Sequence, residues 1–233
     1  MARIPLIADL ITGDLPAGSI LLVEYDPSSQ WYAASVSMAA GWLRTGGRVM
    51  YVTYAQPPDG VRSQLSRLGV IADELEKNDK LEIWDGYTCQ LGQRSKEKYA
   101  HESLKVSDLS IMYAREQLRR PPAPELLRIS DNASSAARVN DEKALVEYLI
   151  TRAFPSQKLR KVTSIRGIIR GLHGDWLLKH IEAASDGIID FRLDETSEET
   201  RNLIRIRTMR NVGFDSRWHQ VRVSDNFEVT LEK

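Results

Sequence analysis

The chain has 233 residues, 42% hydrophobic and 27% charged, and its 32 lysine and arginine residues are balanced by 32 aspartate and glutamate. That length builds one sizeable domain with its own core, here taken as residues 1–233. A net charge of zero argues against a uniformly basic nucleic-acid or membrane-surface binder and leaves only a local basic patch. One cysteine, Cys89, excludes an internal disulfide and multi-cysteine metal sites and fits a reducing compartment, while the four histidines form no metal-binding pattern. The amino-terminal apolar stretch is broken by Asp9, Gly13, Asp14 and Pro16, unlike a secretory signal. No window approaches the roughly 18 apolar residues of a membrane span, so a cytoplasmic protein is expected.

Strand and helix signals then alternate. Residues 19–25 (SILLVEY) read as a strand buried on both faces, and residues 31–43 as a helix ended by Gly46 and Gly47. Residues 48–54 form a second strand. Asp59 is placed to cap a short helix with Val61, Leu65 and Leu68 inward. Residues 81–85 and 126–131 give the third and fourth strands. Asp141 is expected to cap a helix that stops before Pro155, because proline cannot continue a helical ladder. A fifth strand covers 162–165, with Arg166 and Arg170 in the loop behind it. Asp175 is expected to cap the next helix, before a sixth strand at 187–192.

This alternation predicts an α/β fold: a mostly parallel sheet flanked by helices. Residues 202–209, 217–223 and 227–231 are joined by short turns and read as antiparallel strands added at the end. Residues 86–124 read as an insertion of polar loop and helix, stopped by the segment RRPPAP.

In such a fold the loop after the first strand is the natural phosphate cradle, where backbone N–H groups and the helix dipole converge. A nucleotide-binding loop carries glycines for close approach and a lysine for charge. Here it reads Glu24, Tyr25, Asp26, Pro27, Ser28, Ser29, Gln30, Trp31, with neither glycine nor lysine.

At this point the chain resembles the RecA-like ATPases of the KaiC family, from about Leu15 to Leu231. The segment GGRVMYVTYAQPPDGVRSQLSRLG keeps the family's strand, its YVT, its proline and its closing Leu–Gly in register. LLRISDNASS stands where the family has its Walker B strand, WLLKHIEAASDGIIDF follows the later helix and strand, and RNLIRIRTMRN resembles its tail. The resemblance implies a RecA-like fold and makes Pro27, Ser28, Ser29, Gln30 and Trp31 the nucleotide loop and Asp131 the Walker B carboxylate. It implies an intersubunit surface at Arg207, Thr208 and Arg210. It also implies that Arg166 and Arg170 stand where relatives contact a partner or polymer.

The departures from the family point the other way. Gln30 and Trp31 stand in place of the lysine motif, Ala55 and Gln56 in place of paired glutamates, and Thr208 in place of the lysine that reaches a neighbour's nucleotide. Glutamine holds a water but takes no proton from it. These losses together remove the charge stabilisation of phosphoryl transfer. The expectation is a catalytically inactive homologue without metal or cofactor, save weak binding of ATP and magnesium. It would act as a regulatory or structural subunit in a homo-oligomer, or in a hetero-oligomer with a RecA- or KaiC-like ATPase. Three alternatives stand beside it: an ATP-binding signalling protein with a non-standard phosphate loop, a nucleic-acid-binding recombinase-like paralogue, and an active ATPase with a lysine from elsewhere.

Purely structural roles compete at single residues. Asp131 could cap the turn behind it, Trp31 and Tyr32 could fill space, and the tail arginines could guard an exposed edge strand. Arg128 and Ser130 alternate with Leu127 and Ile129, making this strand less apolar than a central one should be. Residues 151–180 are basic and 194–199 acidic, which suits solvated loops or a charge-complementary contact.

Overall fold

The apolar runs become the strands of one large sheet. The computed structural model describes residues 3–119, 123–196 and 199–232. In chain order the elements are β1 (Ile11–Thr12), β2 (Ile20–Tyr25), α1 (Trp31–Arg44), β3 (Arg48–Thr53), α2 (Pro58–Arg67), α3 (Ala72–Lys77), β4 (Leu81–Asp85), β5 (Tyr99–Ala100) and α4 (Val106–Arg119). There follow β6 (Leu126–Ser130), α5 (Ser134–Ala137), α6 (Glu142–Tyr148), α7 (Phe154–Leu159), β7 (Thr163–Ile169), α8 (Asp175–Ala184), β8 (Gly187–Asp194), β9 (Arg201–Met209), β10 (Gly213–Phe214), β11 (His219–Val223) and β12 (Val229–Leu231).

The main sheet runs β12-β11-β9-β8-β2-β7-β6-β3-β4-β5. β2 pairs parallel with β7 and β8, while β9, β11 and β12 are added antiparallel at one side, as the sequence predicts. Alternation along each strand sorts side chains between two layers. Leu21, Val23, Tyr51, Leu127, Ile129 and Ile165 pack with α1, α2 and α3, whereas Ile20, Leu22 and Ile168 pack with α4 to α8. The segment expected as an insertion belongs to this architecture: β5 extends the sheet beside β4, and Leu109 and Met112 of α4 reach its helical cover. The RRPPAP stop lies partly outside the described residues.

Four local expectations are corrected. The helix begun at Asp141, whose side chain does accept from the Ala144 N–H at 3.1 Å, passes through Pro155 instead of ending. A π-helical turn at Leu149–Ala153 widens the ladder, so the missing proline N–H falls at the start of α7, where it is tolerated. Asp59 and Asp175 lie inside the first turns of α2 and α8, with Pro57 and Gly174 at the caps. The fifth strand continues to Ile169, so Arg166 is a strand residue rather than a loop residue. Finally, β9 is an interior strand between β8 and β11; the edges are β12 and β5.

Candidate functional site

The loop joining β2 to α1 closes on itself. Its Asp26 N–H donates to Phe191 O at 3.0 Å, the Ser29 N–H to Asp26 O at 2.9 Å, and the Gln30 N–H to Asn202 Oδ1 at 2.8 Å. Ser29 Oγ also donates to Asp26 O, at 2.7 Å, while Pro27 and Ser28 are exposed. Three of the loop's amides, those of Asp26, Ser29 and Gln30, are thus engaged by acceptors within the chain.

Trp31, the first residue of α1, is 0% exposed. Its indole stacks on Tyr25 with centroids 5.8 Å apart, meets Phe191 edge-on, and donates Nε1–H to Asp131 O at 2.6 Å. β7 admits this ring only because residue 167 is glycine: a Cβ there would lie 2.4 Å from both Trp31 Nε1 and Asp131 O. Tyr32 is half-buried, its hydroxyl 2.9 Å from that of Tyr25.

Asp131 lies directly beyond β6 and is fully buried. Its carboxylate neither faces solvent nor caps the following turn, a role that Asn132 takes by accepting from the Ser134 N–H. Instead it accepts from the Tyr54 N–H at 2.8 Å and faces Thr53 Oγ1 at 3.1 Å, both at the end of β3. Burial pushes its pKa up to about 7, opposed by hydrogen bonds from Tyr54 and Thr53. Thr53 Oγ1 has a single proton and a second, closer acceptor in Gln56 O at 2.6 Å, an arrangement that suits a protonated Asp131.

On the opposite face, charged residues inside apolar strands meet in a cluster that sequence reading did not assemble. Asp190 of β8 has a fully buried side chain and accepts from Arg170 at 2.8 Å, from Arg205 at 2.8 Å, and from Arg207. Arg207 also pairs with Glu182 of α8 and lies 3.0 Å from Glu24 Oε1 of β2, while Arg170 pairs with Asp26 at 3.3 Å. Burial alone would raise Asp190; hydrogen bonds from Arg207, Arg205 and Arg170 outweigh it and hold the pKa at about 2. A β-bulge builds this contact. Ile206 pairs with Ile189 and Thr208 with Ile188, so Arg207 is the extra residue and is turned onto Asp190 beside Arg205. Glu24 and Asp26 are therefore internally paired rather than aimed at the loop. The available signal was a carboxylate or arginine interrupting each of three apolar strands.

Among the other expected residues, Arg166 is 8% exposed and lies between β2 and β6, so it is not on a surface where a polymer could reach it. Arg170 is held by Asp190 and Asp26. Of the tail residues, Thr208 and Arg210 are exposed, Arg210 donating to Ala183 O at 2.7 Å, whereas Arg207 is committed inside the chain. The acidic turn expected before β9 includes residues 197 and 198, which lie outside the described residues. Cys89 is half-buried, and burial raises its pKa, as for an unreactive thiol. Among the described residues no helix is long and apolar enough to cross a membrane.

Known proteins resemble this chain in sequence and in fold over nearly its full length. A UPF0273 protein of Thermotoga maritima is 24% identical over 237 residues, covering 95% of this chain and 91% of that protein. Another UPF0273 protein, from Aeropyrum pernix, is 24% identical over 236 residues, covering 95% and 89%. The crystal structure of a KaiC-like protein from Pyrococcus horikoshii OT3 superposes with a TM-score of 0.73 at 18% identity, over 99% of this chain and 96% of that one. Residues 3–231 match the KaiC ATPase family from end to end of the sheet, and this chain, with its paired loop amides and buried tryptophan, belongs to that family.

Proposed function

We propose that this protein is a KaiC-family member that does not hydrolyse ATP and works by binding, as a regulatory or architectural subunit beside copies of itself or ATP-competent relatives. The observation that carries this reading is Trp31. Its buried indole stands at the start of the helix where a nucleotide loop needs a small residue and a lysine, and it is bonded to the Walker-B-position residue. Magnesium triphosphate does not fit the residues present. The loop supplies no lysine, its Asp26, Ser29 and Gln30 amides have acceptors already, and the Asp131 carboxylate is buried against the end of β3. The basic segment gives less support to nucleic-acid binding, because Arg166 is interior and Arg170 is paired.

The test is ATP turnover and calorimetric titration with Mg-ATP. The expected outcome is hydrolysis at the rate of a buffer blank and no saturable heat at millimolar nucleotide. Turnover that co-purifies with the protein and vanishes in Asp131→Ala would overturn the reading.

A further inference from the structure

On the sheet face covered by α4, α6 and the π-helical turn, two arginines stand in adjacent central strands. The register pairs Arg128 with Ser164 and Ser130 with Arg166, so the two arginines are diagonal neighbours on one face. Central strands of a parallel sheet are ordinarily apolar, and a buried guanidinium is ordinarily matched by a carboxylate. Among the residues whose side chains are described, neither arginine has an acidic partner within 4.0 Å. Arg128 instead lies over the ring of Tyr113 and Arg166 over Phe154, each at 5.2 Å from the centroid. A ring face offsets only part of the cost of burying a cation.

The polar atoms around them also lack partners. Arg128 Nε, Arg166 Nε and Nη2, Ser130 Oγ and both ring nitrogens of His101 are buried without a hydrogen bond. Arg166, Ser130 and His101 are each at least nine-tenths buried, at 8%, 1% and 3% exposure. Arg128, Arg166, Ser130 and His101 line a single cavity of about 50 Å³. A second, mostly apolar cavity of about 60 Å³, lined by Met50, Trp84 and Leu126, shares Arg128, Met112 and Tyr113 with it. Burial and Arg128 push Arg166 down to about 10, so it keeps its charge at neutral pH. Burial and Arg128 hold His101 down to about 3, leaving a neutral ring that can donate from one nitrogen.

We propose that this cavity is an oxyanion site, in which a phosphate group lies between Arg128 and Arg166 and takes further hydrogen bonds from Ser130 and His101. Forked guanidinium donors match phosphate oxygens, and the anion supplies the charge that the chain itself does not. The phosphate is either free or the head of a small phosphomonoester whose apolar remainder enters the adjoining cavity. The site is on the opposite face of the sheet from Trp31 and Asp131, so it is independent of the function proposed above.

The experiment is thermal unfolding, together with ³¹P line broadening, of the full chain with inorganic phosphate or phenyl phosphate, using sodium chloride at matched ionic strength as control. Phosphate is expected to raise the melting temperature where chloride does not. Arg166→Leu and Arg128→Leu should each weaken binding about tenfold or more, and the exposed Arg201→Leu should leave it intact. Removing an uncompensated buried charge should also make Arg166→Leu at least as stable as wild type in phosphate-free buffer, so that variant remains testable. Tighter binding of phenyl phosphate than of phosphate supports a phosphomonoester ligand, and equal binding supports free phosphate. No response of the wild type to either compound, or an equal response of wild type and Arg166→Leu, would overturn the proposal.

Discussion

Asp131 sits in an environment far from that of an ordinary carboxylate. Its carboxyl is driven up to about 7 by burial while the unfolded chain leaves it near 4. The folded state therefore favours the proton, and ionisation opposes folding. That cost is absent below about pH 4, grows by up to about 1.4 kcal/mol per pH unit between pH 4 and 7, and is complete above 7. Asp131→Asn, which keeps an acceptor for the Tyr54 N–H, is expected to melt higher than wild type at pH 8, with the gap closing as the pH falls toward 4. A melting-temperature series from pH 5 to 8 checks this; parallel curves would contradict it. Trp31 makes the complementary case. Removing a fully buried indole and its hydrogen bond to Asp131 O should cost about 3–5 kcal/mol, read from urea denaturation of Trp31→Ala.

At the scale of elements, the bulge in β9 and the cluster it builds stabilise the junction of the parallel and antiparallel parts of the sheet. Asp190 is held at about 2, so its stabilisation is present at neutral pH and is lost as the pH falls from about 4 through 2. Asp190→Asn is expected to be less stable than wild type at pH 7, the difference narrowing below pH 4. Arg207→Ala should cost about 3–5 kcal/mol, because it leaves buried carboxylates without their cation. A urea midpoint for each variant at pH 7 and pH 3 separates these outcomes. Most elements were legible because their apolar runs match strand or helix spacing; β2, β3, β4 and β8 fall within three residues of expectation. β1, β5 and β10 span two residues each, too short to carry a period. β7 was read short because Arg166 and Gly167 break its apolar run, although each sits there for a reason of packing. The loop, Trp31 and Asp131 were found as positions, but the engagement of their amides and carboxylate depends on Asn202, Phe191 and Thr53, whose proximity no local pattern reveals.

For the whole molecule, a subunit acting by contact needs a free surface, and the tail offers Thr208 and Arg210 rather than Arg207. Any self-association or pairing with an ATP-competent relative through Arg210 should weaken with salt, because exposed charges are screened within about 8–10 Å at physiological ionic strength. Sedimentation at low and high salt, with Arg210→Glu as the variant, is expected to show a salt-sensitive assembly that the substitution disrupts. A strictly monomeric protein that ignores both salt and the substitution would remove this surface from consideration. The sheet order also sets when folding can finish. Ile20 of β2 pairs with Ser164, and Leu21 with Gly187, so the central strand is made early and finds both neighbours only when the last third of the chain exists. During synthesis its six apolar-rich residues must wait unpaired while β3, β4 and β6 are already able to associate. Late closure of this kind slows folding and leaves a β-prone segment exposed to other nascent chains until the last strands are made.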